Sequence, residues 1–476
     1  MVSASALVAA LPAPLPLSAA TVQAAAATGA TVIVLDDDPT GTQSVSDLPV
    51  LTRWEVADLR WALDQGAAAV YVLTNTRSLD PEEAAARNRE VVLAALAAAE
   101  GRPLAFASRS DSTLRGHYPL ETDVIARTLG EQGQPPIDGV VIVPAFPDAG
   151  RVTLQGVHYL RKGDELVPAA DTEFAADATF GYRSSALPEW VEEKSGGRIP
   201  RDSVAVIDLA TLRGDADAVL ALLDAARDAQ PIVVDCLEES DLRALALALI
   251  ESERGGRRFL YRVGPPFVRA RIGLEPHAPL DAGSIPHAEG STRGGLIVVG
   301  SHVSLTTRQL EALQRDRPEL AVVEMDVDAV LDPARRAEHV AERTAAAVAA
   351  LADDSVIVHT TRLLRRTDDA DESLRISRAV SGAVVELVRA VLAAAPPRFV
   401  IAKGGITSSD VAAHGLEIRH AIVRGPMLPG IVSLWEPVDG PAQGIPYIVF
   451  AGNVGDDLSL AAVVRTLSPV TEGALA

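Results

Sequence analysis

Cysteine is almost missing from this chain. Cys236 stands alone among 476 residues, which excludes an intramolecular disulfide and fits a reducing cytoplasm. Aromatic residues make up only 4 %. There is no proline-free run of about 20 strongly apolar residues, so no membrane-spanning helix is expected. The first 30 residues lack a basic start and contain three prolines, which argues against a signal peptide and for a partly ordered segment packed near the first domain. Positive charge is in deficit. A net charge of −21 speaks against nucleic acid or an anionic membrane as partner, and an anionic ligand would need a local arginine cluster. No H-E-x-x-H, no Cys pair and no G-x-S-x-G occurs, so zinc and a serine-hydrolase elbow are unsupported. No P-loop and no G-x-G-x-x-G after a strand occurs either.

What is abundant is Ala, Val and Leu, arranged as short β-branched runs between Ala-rich helical stretches. Strands are expected at Thr31–Leu35, Ala68–Leu73, Leu104–Ala107, Gly139–Val143, Val204–Ile207, Ile232–Asp235 and Phe259–Arg262, with helices such as Pro81–Ala99 and Gly214–Ala229 between them. A second set runs Gly295–Val299, Ala321–Met325, Ser355–His359, Phe399–Ala402, Ala421–Val423 and Tyr447–Phe450, with helices at Pro333–Leu351 and Asp371–Ala394. This rhythm predicts α/β architecture: two domains, each a mostly parallel sheet flanked by helices. The expected boundaries are an N-terminal segment at 1–29, a first domain at 30–273, a Pro/Gly/Ser/His-containing linker at 274–293 and a second domain at 294–476.

Three polar loops follow strands of the first domain, on the sheet edge where open α/β folds bind ligands. VIVLDDDPTGT puts Asp36, Asp37 and Asp38 side by side before Thr40 and Gly41. Three adjacent carboxylates repel, so a hydroxyl or a cation would give them a use; the bland reading is an Asx-rich turn. SRSDSTLRGHYPLE holds Arg109, Asp111, Ser112, Thr113, Arg115 and His117, in which the two arginines could grip a carboxylate. PAFPDAGRVTLQGVHYL adds Gly150, Arg151, Thr153, Gly156 and His158. The second half has three glycine turns, GSHVSLTTRQL, KGGITSSDVA and FAGNVGDD, whose backbone N–H groups could cradle phosphates.

Together these loops resemble the four-carbon acid sugar kinases, over roughly residues 30 to 465. The resemblance implies a sugar-acid-binding first domain, a nucleotide-binding second domain and an active site in the cleft between them. The family's D-D-x-T-G falls on Asp37, Asp38, Thr40 and Gly41, and its K-x-D-S-T-L-R-G on Arg109 to Gly116, with Arg109 in place of Lys. On the nucleotide side Gly300, Ser301 and Ser304 match one turn, Gly404, Gly405, Ile406 and Thr407 a second, and Gly452 and Asn453 a third. Ile406 stands where many relatives have an acid.

The implied reaction is ATP-dependent phosphorylation of the terminal (C4) hydroxyl of threonate, erythronate or 3-oxo-tetronate. Asp37 or Asp38 would orient the hydroxyl and take its proton. Asp36, Thr40, Gly41, Arg109, Asp111, Ser112, Thr113, Arg115 and Arg151 would bind the acid, and the domains would close to exclude water. ATP and Mg²⁺ are the implied cofactors, with the metal ligands unassigned. Neither nucleic acid nor membrane is expected as partner, and a homo-oligomer stays open.

Two other readings compete. Asp36, Asp38 and Thr40 also satisfy the D-x-D-x-T of haloacid-dehalogenase-type phosphatases. Asp36 would then be the nucleophile, Asp38 the acid/base, and Thr74, Lys403 and Asp456 or Asp457 the supporting groups. That spacing is poor, because over 300 residues separate Thr74 from Lys403. A non-catalytic sugar-acid sensor would bind through Arg109 and Arg115 without using the glycine turns.

Overall fold

The computed structural model describes residues 2–3, 9, 11–361 and 370–468. The rest of the N-terminal segment and residues 469–476 lie outside the described residues. The chain divides into two compact units. One comprises Met1–Pro49 and Trp54–Pro276, the other Val50–Arg53 and His277–Ala476.

In the first unit, seven strands among the described residues run parallel. Their order across the sheet is Ala205–Ile207, Gln230–Val234, Gly139–Val143, Phe259–Val263, Leu104–Arg109, Thr31–Asp36 and Ala69–Leu73. These are the near-continuous apolar runs of the sequence, which suits a sheet covered on both faces. From Thr31–Asp36 the chain first adds Ala69–Leu73 on one side, then Leu104–Arg109 on the other. The order therefore reverses at Asp36 and Arg109, which are register partners. A switch point of this kind leaves a crevice at the carboxyl ends of the strands.

Local signals set the helices. Pro81–Ala99 begins where Asp80 accepts hydrogen bonds from the Glu82 and Glu83 N–H groups, both at 2.9 Å, with Pro81 in the first turn. The expected helix at Gly214–Ala229 is observed as Ala216–Ala225, capped by Asp215, which also ends a separate preceding helix, Leu209–Gly214. Within the N-terminal segment, Ala19–Ala26 forms a helix whose Val22 is fully buried with Ala246 and Ile250.

The third polar loop is more regular than its sequence suggests. Arg151–Leu154, Val157–Lys162 and Glu165–Pro168 form an antiparallel sheet, to which Val2–Ser3 adds an edge. Its tight turn uses Gln155 and Gly156, both at positive φ, whose N–H groups donate to the Asp235 carboxylate at 2.6 and 2.8 Å. A Gln-Gly turn between a four-residue and a six-residue strand carries little of the usual hairpin signal, so only the fold reveals it.

Among the described residues the second unit has five parallel strands, in the order Tyr447–Phe450, Val400–Lys403, Leu296–Val299, Val356–Thr360 and Ala321–Met325. An antiparallel pair, His420–Leu428 with Ile431–Pro437, extends it beyond Tyr447–Phe450. The sequence indicates only Ala421–Val423 here, because Gly425 and Pro426 interrupt the pattern. The structure keeps them in the strand through a register shift between Val423 and Gly425, with Gly425 at φ 141°. The expected linker joins this unit in part: the Leu280 N–H donates to the Pro426 carbonyl at 2.9 Å. Among the described residues no helix is long and apolar enough to cross a membrane.

Val22→Ala should cost the first unit about 1–3 kcal/mol, the loss expected for removing buried methyl groups from a packed site. Urea denaturation of the full chain checks this. An unchanged midpoint would mean that the Ala19–Ala26 helix is not docked in solution.

Candidate active site

The aspartate triplet sits where Thr31–Asp36 leaves the sheet. Asp36 and Asp37 are 1 % and 2 % exposed, so each needs a partner. Arg109, equally buried, supplies one. Its guanidinium pairs with Asp36, lies 3.1 Å from Asp37 and donates to the Asp38 carbonyl at 2.6 Å. Arg77 supplies the other, gripping Asp37 with two hydrogen bonds of 2.6 and 3.1 Å and reaching Asp38 at 3.5 Å. Arg77 arrives there because Thr74 and Asn75 donate their N–H groups to the Asp36 carbonyl at 2.9 and 3.1 Å. Sequence reasoning missed Arg77. The signal was its position in the loop after Ala69–Leu73, on the same strand edge as the other motifs.

Gly41 is required by close approach. A Cβ there would overlap the Asp36 carboxylate and the Arg109 Nε. Asp38 caps the short 3₁₀ turn Pro39–Ser44, its Oδ1 accepting from the Thr40 N–H at 2.9 Å and the Thr40 hydroxyl at 2.5 Å. The three carboxylates are thus unequal. Burial, with Asp37 and Asp38 beside it, pushes Asp36 up to about 7 against the pull of Arg109. At Asp38 burial also raises, but Arg77, Arg109 and Thr40 outweigh it and the net shift is downward. Asp38 is also the reachable one, its side chain 18 % exposed against 2 % for Asp36 and Asp37.

The Asp111–Arg115 loop packs beside this network. Arg115 donates from Nε to Asp111 at 2.6 Å, brings Nη1 to 3.5 Å from Asp177 and lays its guanidinium over the Phe174 ring at 5.2 Å. Thr113 donates its hydroxyl to Asp111. Burial opposes ionisation of Asp111, yet Arg77, Arg115 and Thr113 hold it well below the usual carboxylate range. Ser112 contributes its carbonyl, which meets His158 Nε2 at 2.7 Å. Burial keeps His158 down at about 4, so it is a neutral structural residue near pH 7. Gly116, at φ 116°, brings its backbone against Asp37; a Cβ there would lie 3.2 Å from Asp37 Oδ2. Arg151 is half-buried, donates from Nη1 to the Ala149 carbonyl, and has no partner for Nε.

Two further groups were not singled out from sequence. Glu121 is buried and accepts from Thr76 at 2.6 Å and Ser108 at 2.9 Å. Burial, with Asp37 nearby, raises its carboxyl. Arg262 is 1 % exposed, sits over Tyr118 and Trp190, and leaves Nε and Nη1 without partners. Its signal was a charged residue inside an otherwise apolar strand.

In the second unit the strand order also reverses, between Leu296–Val299 and Val400–Lys403. The Gly300 and Ser301 N–H groups both donate to the Lys403 carbonyl at 3.2 Å, and the Gly404 N–H donates to the Phe450 carbonyl at 2.9 Å. The three glycine turns therefore meet. A Cβ on Gly300 would overlap Thr407, one on Gly452 would overlap Ser301, and Gly404 holds φ 128° beside Ser301. Thr306 donates to the Gly452 carbonyl at 2.8 Å. Ser304 opens the helix Ser304–Asp316, Gly405 opens the short helix Gly405–Asp410, and Ile406 and Asn453 are exposed on their turns. Lys403 is buried, its Nζ 2.7 Å from the Ala451 carbonyl and 3.8 Å from the Phe450 ring centre. Burial brings its pKa down to about 7.

Among the described residues no group of three or more His, Cys, Asp or Glu is placed to hold a metal. The phosphatase reading loses its parts here: Asp36 is enclosed by Arg109, Lys403 is spent on the Ala451 carbonyl, and Asp456 accepts from Ser459 at 2.8 Å.

Removing Arg109 should be severe, since it strands the buried Asp36 carboxylate and takes one of two arginine partners from Asp37. Arg109→Ala is expected to cost about 3–5 kcal/mol in denaturant titrations. Lys403 gives a pH signature. Folded, its proton is held only below about pH 7; unfolded, below 10.5. Between those values the unfolded chain binds more protons, so stability rises with pH. Lys403→Met should flatten that rise, and an unaltered slope would show the amine to be solvated.

The comparisons with known proteins fit both units. Residues 32–271 match the family model of a sugar-binding N-terminal domain, and residues 296–460 that of a nucleotide-binding C-terminal domain. The chain is 29 % identical over 336 residues to a D-erythronate kinase of Heliobacterium modesticaldum, covering 69 % of this chain and 70 % of the relative. It is 28 % identical over 361 residues to a 3-oxo-tetronate kinase of Methylobacterium radiotolerans (72 % and 77 % covered). It is also 28 % identical over 401 residues to a D-threonate kinase of Bordetella bronchiseptica (82 % and 84 %). Two solved structures share the fold. One, from Salmonella typhimurium LT2 and provisionally described as a tRNA synthase, has a TM-score of 0.65 at 20 % identity, over 91 % of this chain and 98 % of its own. The other, from Haemophilus influenzae, has a TM-score of 0.61 at 17 % identity, over 91 % and 100 %. With a sugar-binding model on the unit that holds the aspartates and a nucleotide-binding model on the unit that holds the glycine turns, the chain belongs to the four-carbon acid sugar kinase family, phosphotransferases with an alcohol group as acceptor.

Proposed function

We propose that the protein transfers the γ-phosphoryl group of ATP to the terminal hydroxyl of a four-carbon sugar acid of the threonate, erythronate or 3-oxo-tetronate class. The observation that carries this reading is the inequality of the three aspartates. Asp36 and Asp37 are buried in arginine pairs, whereas Asp38 keeps Oδ2 free of all but Arg77, at 3.5 Å. Asp38 Oδ2 is the atom that receives the acceptor hydroxyl. Its depressed pKa makes it a weak base, which suffices because phosphoryl transfer needs the proton removed only late, as the new O–P bond forms. The O–P bond to ADP breaks, the proton passes to Asp38 and then to water, and the products are ADP and the phosphorylated acid.

The acid's carboxylate is held by Arg151, whose Nε lacks a partner, together with Arg115. Arg109 plays a different part from the one its motif suggests, orienting the aspartates rather than the substrate. The Gly300, Gly404 and Gly452 turns take the nucleotide phosphates on backbone N–H groups. Mg²⁺ would neutralise charge on the transferring group. Without a built metal cluster it would be held by phosphate oxygens and water, with Asp38 as the one reachable carboxylate of the triplet.

Purified protein with Mg²⁺ and ATP should release ADP only when one acid of this class is present, with no hydrolysis of p-nitrophenyl phosphate. Ester hydrolysis without acid-dependent ADP release would overturn the assignment. Asp38→Asn should lower kcat by about 10²–10⁴. Arg151→Ala should raise KM for the acid about tenfold or more while leaving KM for ATP unchanged. If the KM for ATP moved instead, Arg151 would belong to nucleotide binding.

A further inference from the structure

The parallel sheet of the first unit has a second edge, where its strands begin, and a cavity of about 640 Å³ opens there. It is lined by Ala30, Leu104, Phe259 and their neighbours, the starts of three central strands. The aspartates lie at the other ends of the same strands. Thr31 pairs with Leu104 at one end and Asp36 with Arg109 at the other. Five residue steps at about 3.3 Å each separate the two edges by roughly 16 Å. A small molecule in the cavity cannot reach the aspartate network, so this is a separate site. Its volume falls within the range of about 300–1,000 Å³ typical of small-ligand pockets.

The lining is of two kinds. Leu104, Leu129, Ile250 and Phe259 are among its apolar walls. Arg102, Arg254, Arg257, Arg258 and Arg271 also line it, against one carboxylate, Glu253. Four of these arginines are matched by acids. Arg102 pairs with Asp64 at 2.7 Å, Arg254 with Glu251 at 3.5 Å, Arg257 with Asp138 at 3.3 Å, and Arg271 with Glu253. Glu253 also accepts from the Tyr261 hydroxyl, so it is fully engaged. Arg258 is left over. Asp138 takes its backbone N–H at 2.8 Å, but its half-buried guanidinium has neither an ion pair nor a hydrogen bond. Arg271 is 2 % exposed and its Nε has no partner. In a chain with a net charge of −21, Arg258, which among the described residues has only the Asp138 carboxylate acting on its charge and no direct ion pair, and the buried unpaired Nε–H of Arg271 stand beside an apolar cavity, where an anion would complete both.

We propose that this cavity is a binding site for a small amphipathic monoanion, a carboxylate on an aliphatic or aromatic body, with Arg258 and Arg271 Nε taking the head and Leu104, Ile250 and Phe259 the tail. The polyhydroxylated acids of the proposed reaction are a poor match, because their hydroxyls would face apolar walls.

Isothermal titration of the full chain with hexanoate, and with hexanamide as its neutral isostere, tests the site. Hexanoate should bind at least about tenfold more tightly than hexanamide, the margin expected for a charge-assisted hydrogen bond. Arg258→Gln should remove that margin, and Asp38→Asn should leave it intact. Equal binding of the two probes, no binding of hexanoate, or an unchanged margin in Arg258→Gln would overturn the proposal. Loss of the margin in Asp38→Asn would also overturn it, by assigning hexanoate to the aspartate site. The isostere comparison needs no substitution, so it stands even if a variant fails to fold.

Discussion

The first unit is organised around an ion-pair network that could not exist on a surface without losing its geometry. Asp36 and Asp37 end a buried strand, where an unpaired carboxylate is costly, and Arg109 on the neighbouring strand is their register-level partner. Once Arg109 lies across the strand ends, other features follow. Gly41 must be a glycine because the guanidinium and the Asp36 carboxylate fill the space a Cβ would need. Arg77 is drawn in by Asp37, and it arrives on a loop anchored to the Asp36 carbonyl. Asp38, one residue further, is the first position at which the chain has left the enclosure. Two carboxylates are thus enclosed and the third is left within reach of solvent.

The second unit solves a different problem with the same topology. Its loops also gather where the strand order reverses, but they are made of glycines and small hydroxyl residues instead of charges. The close approaches among Gly300, Ser301, Gly404, Thr407 and Gly452 leave little room for side chains, and the first turn of the helix Gly405–Asp410 starts beside them. A charged network suits a polar acceptor that must be oriented; bare backbone suits phosphates, which are bulky and carry charge of their own.

A parallel sheet has two chemically distinct ends, and this one uses both. The carboxyl edge holds acids balanced by arginines. The amino edge holds arginines balanced by acids, except at Arg258 and Arg271 Nε. This pairing of charges at both edges is a property of the tertiary arrangement. The partners come from strand starts and helix ends that lie far apart in the chain, as with Arg257 and Asp138 or Arg102 and Asp64.

Sequence alone determined the alternation of strands and helices, the two-part organisation and the polar and glycine-rich loops that follow the strands. Apolar runs such as Val32–Leu35 and Val140–Val143 bury on both faces wherever they pack, and Asp80-Pro81 starts a helix from local geometry. Other features depended on contacts between distant residues. The Arg151–Pro168 sheet and the full length of the His420–Leu428 strand are hidden in the sequence because a Gln-Gly turn and a Gly-Pro interruption carry weak local signals. Arg77 and Arg262 carry only weak signals in the sequence, a position after a strand and a charge within one; the fold brings Asp37 to the first and Tyr118 and Trp190 to the second. Arg109 is the clearest case. The motif marks it as important, but whether its guanidinium faces a ligand or the protein's own aspartates is a matter of burial, and burial is decided by packing rather than by the order of residues in the chain.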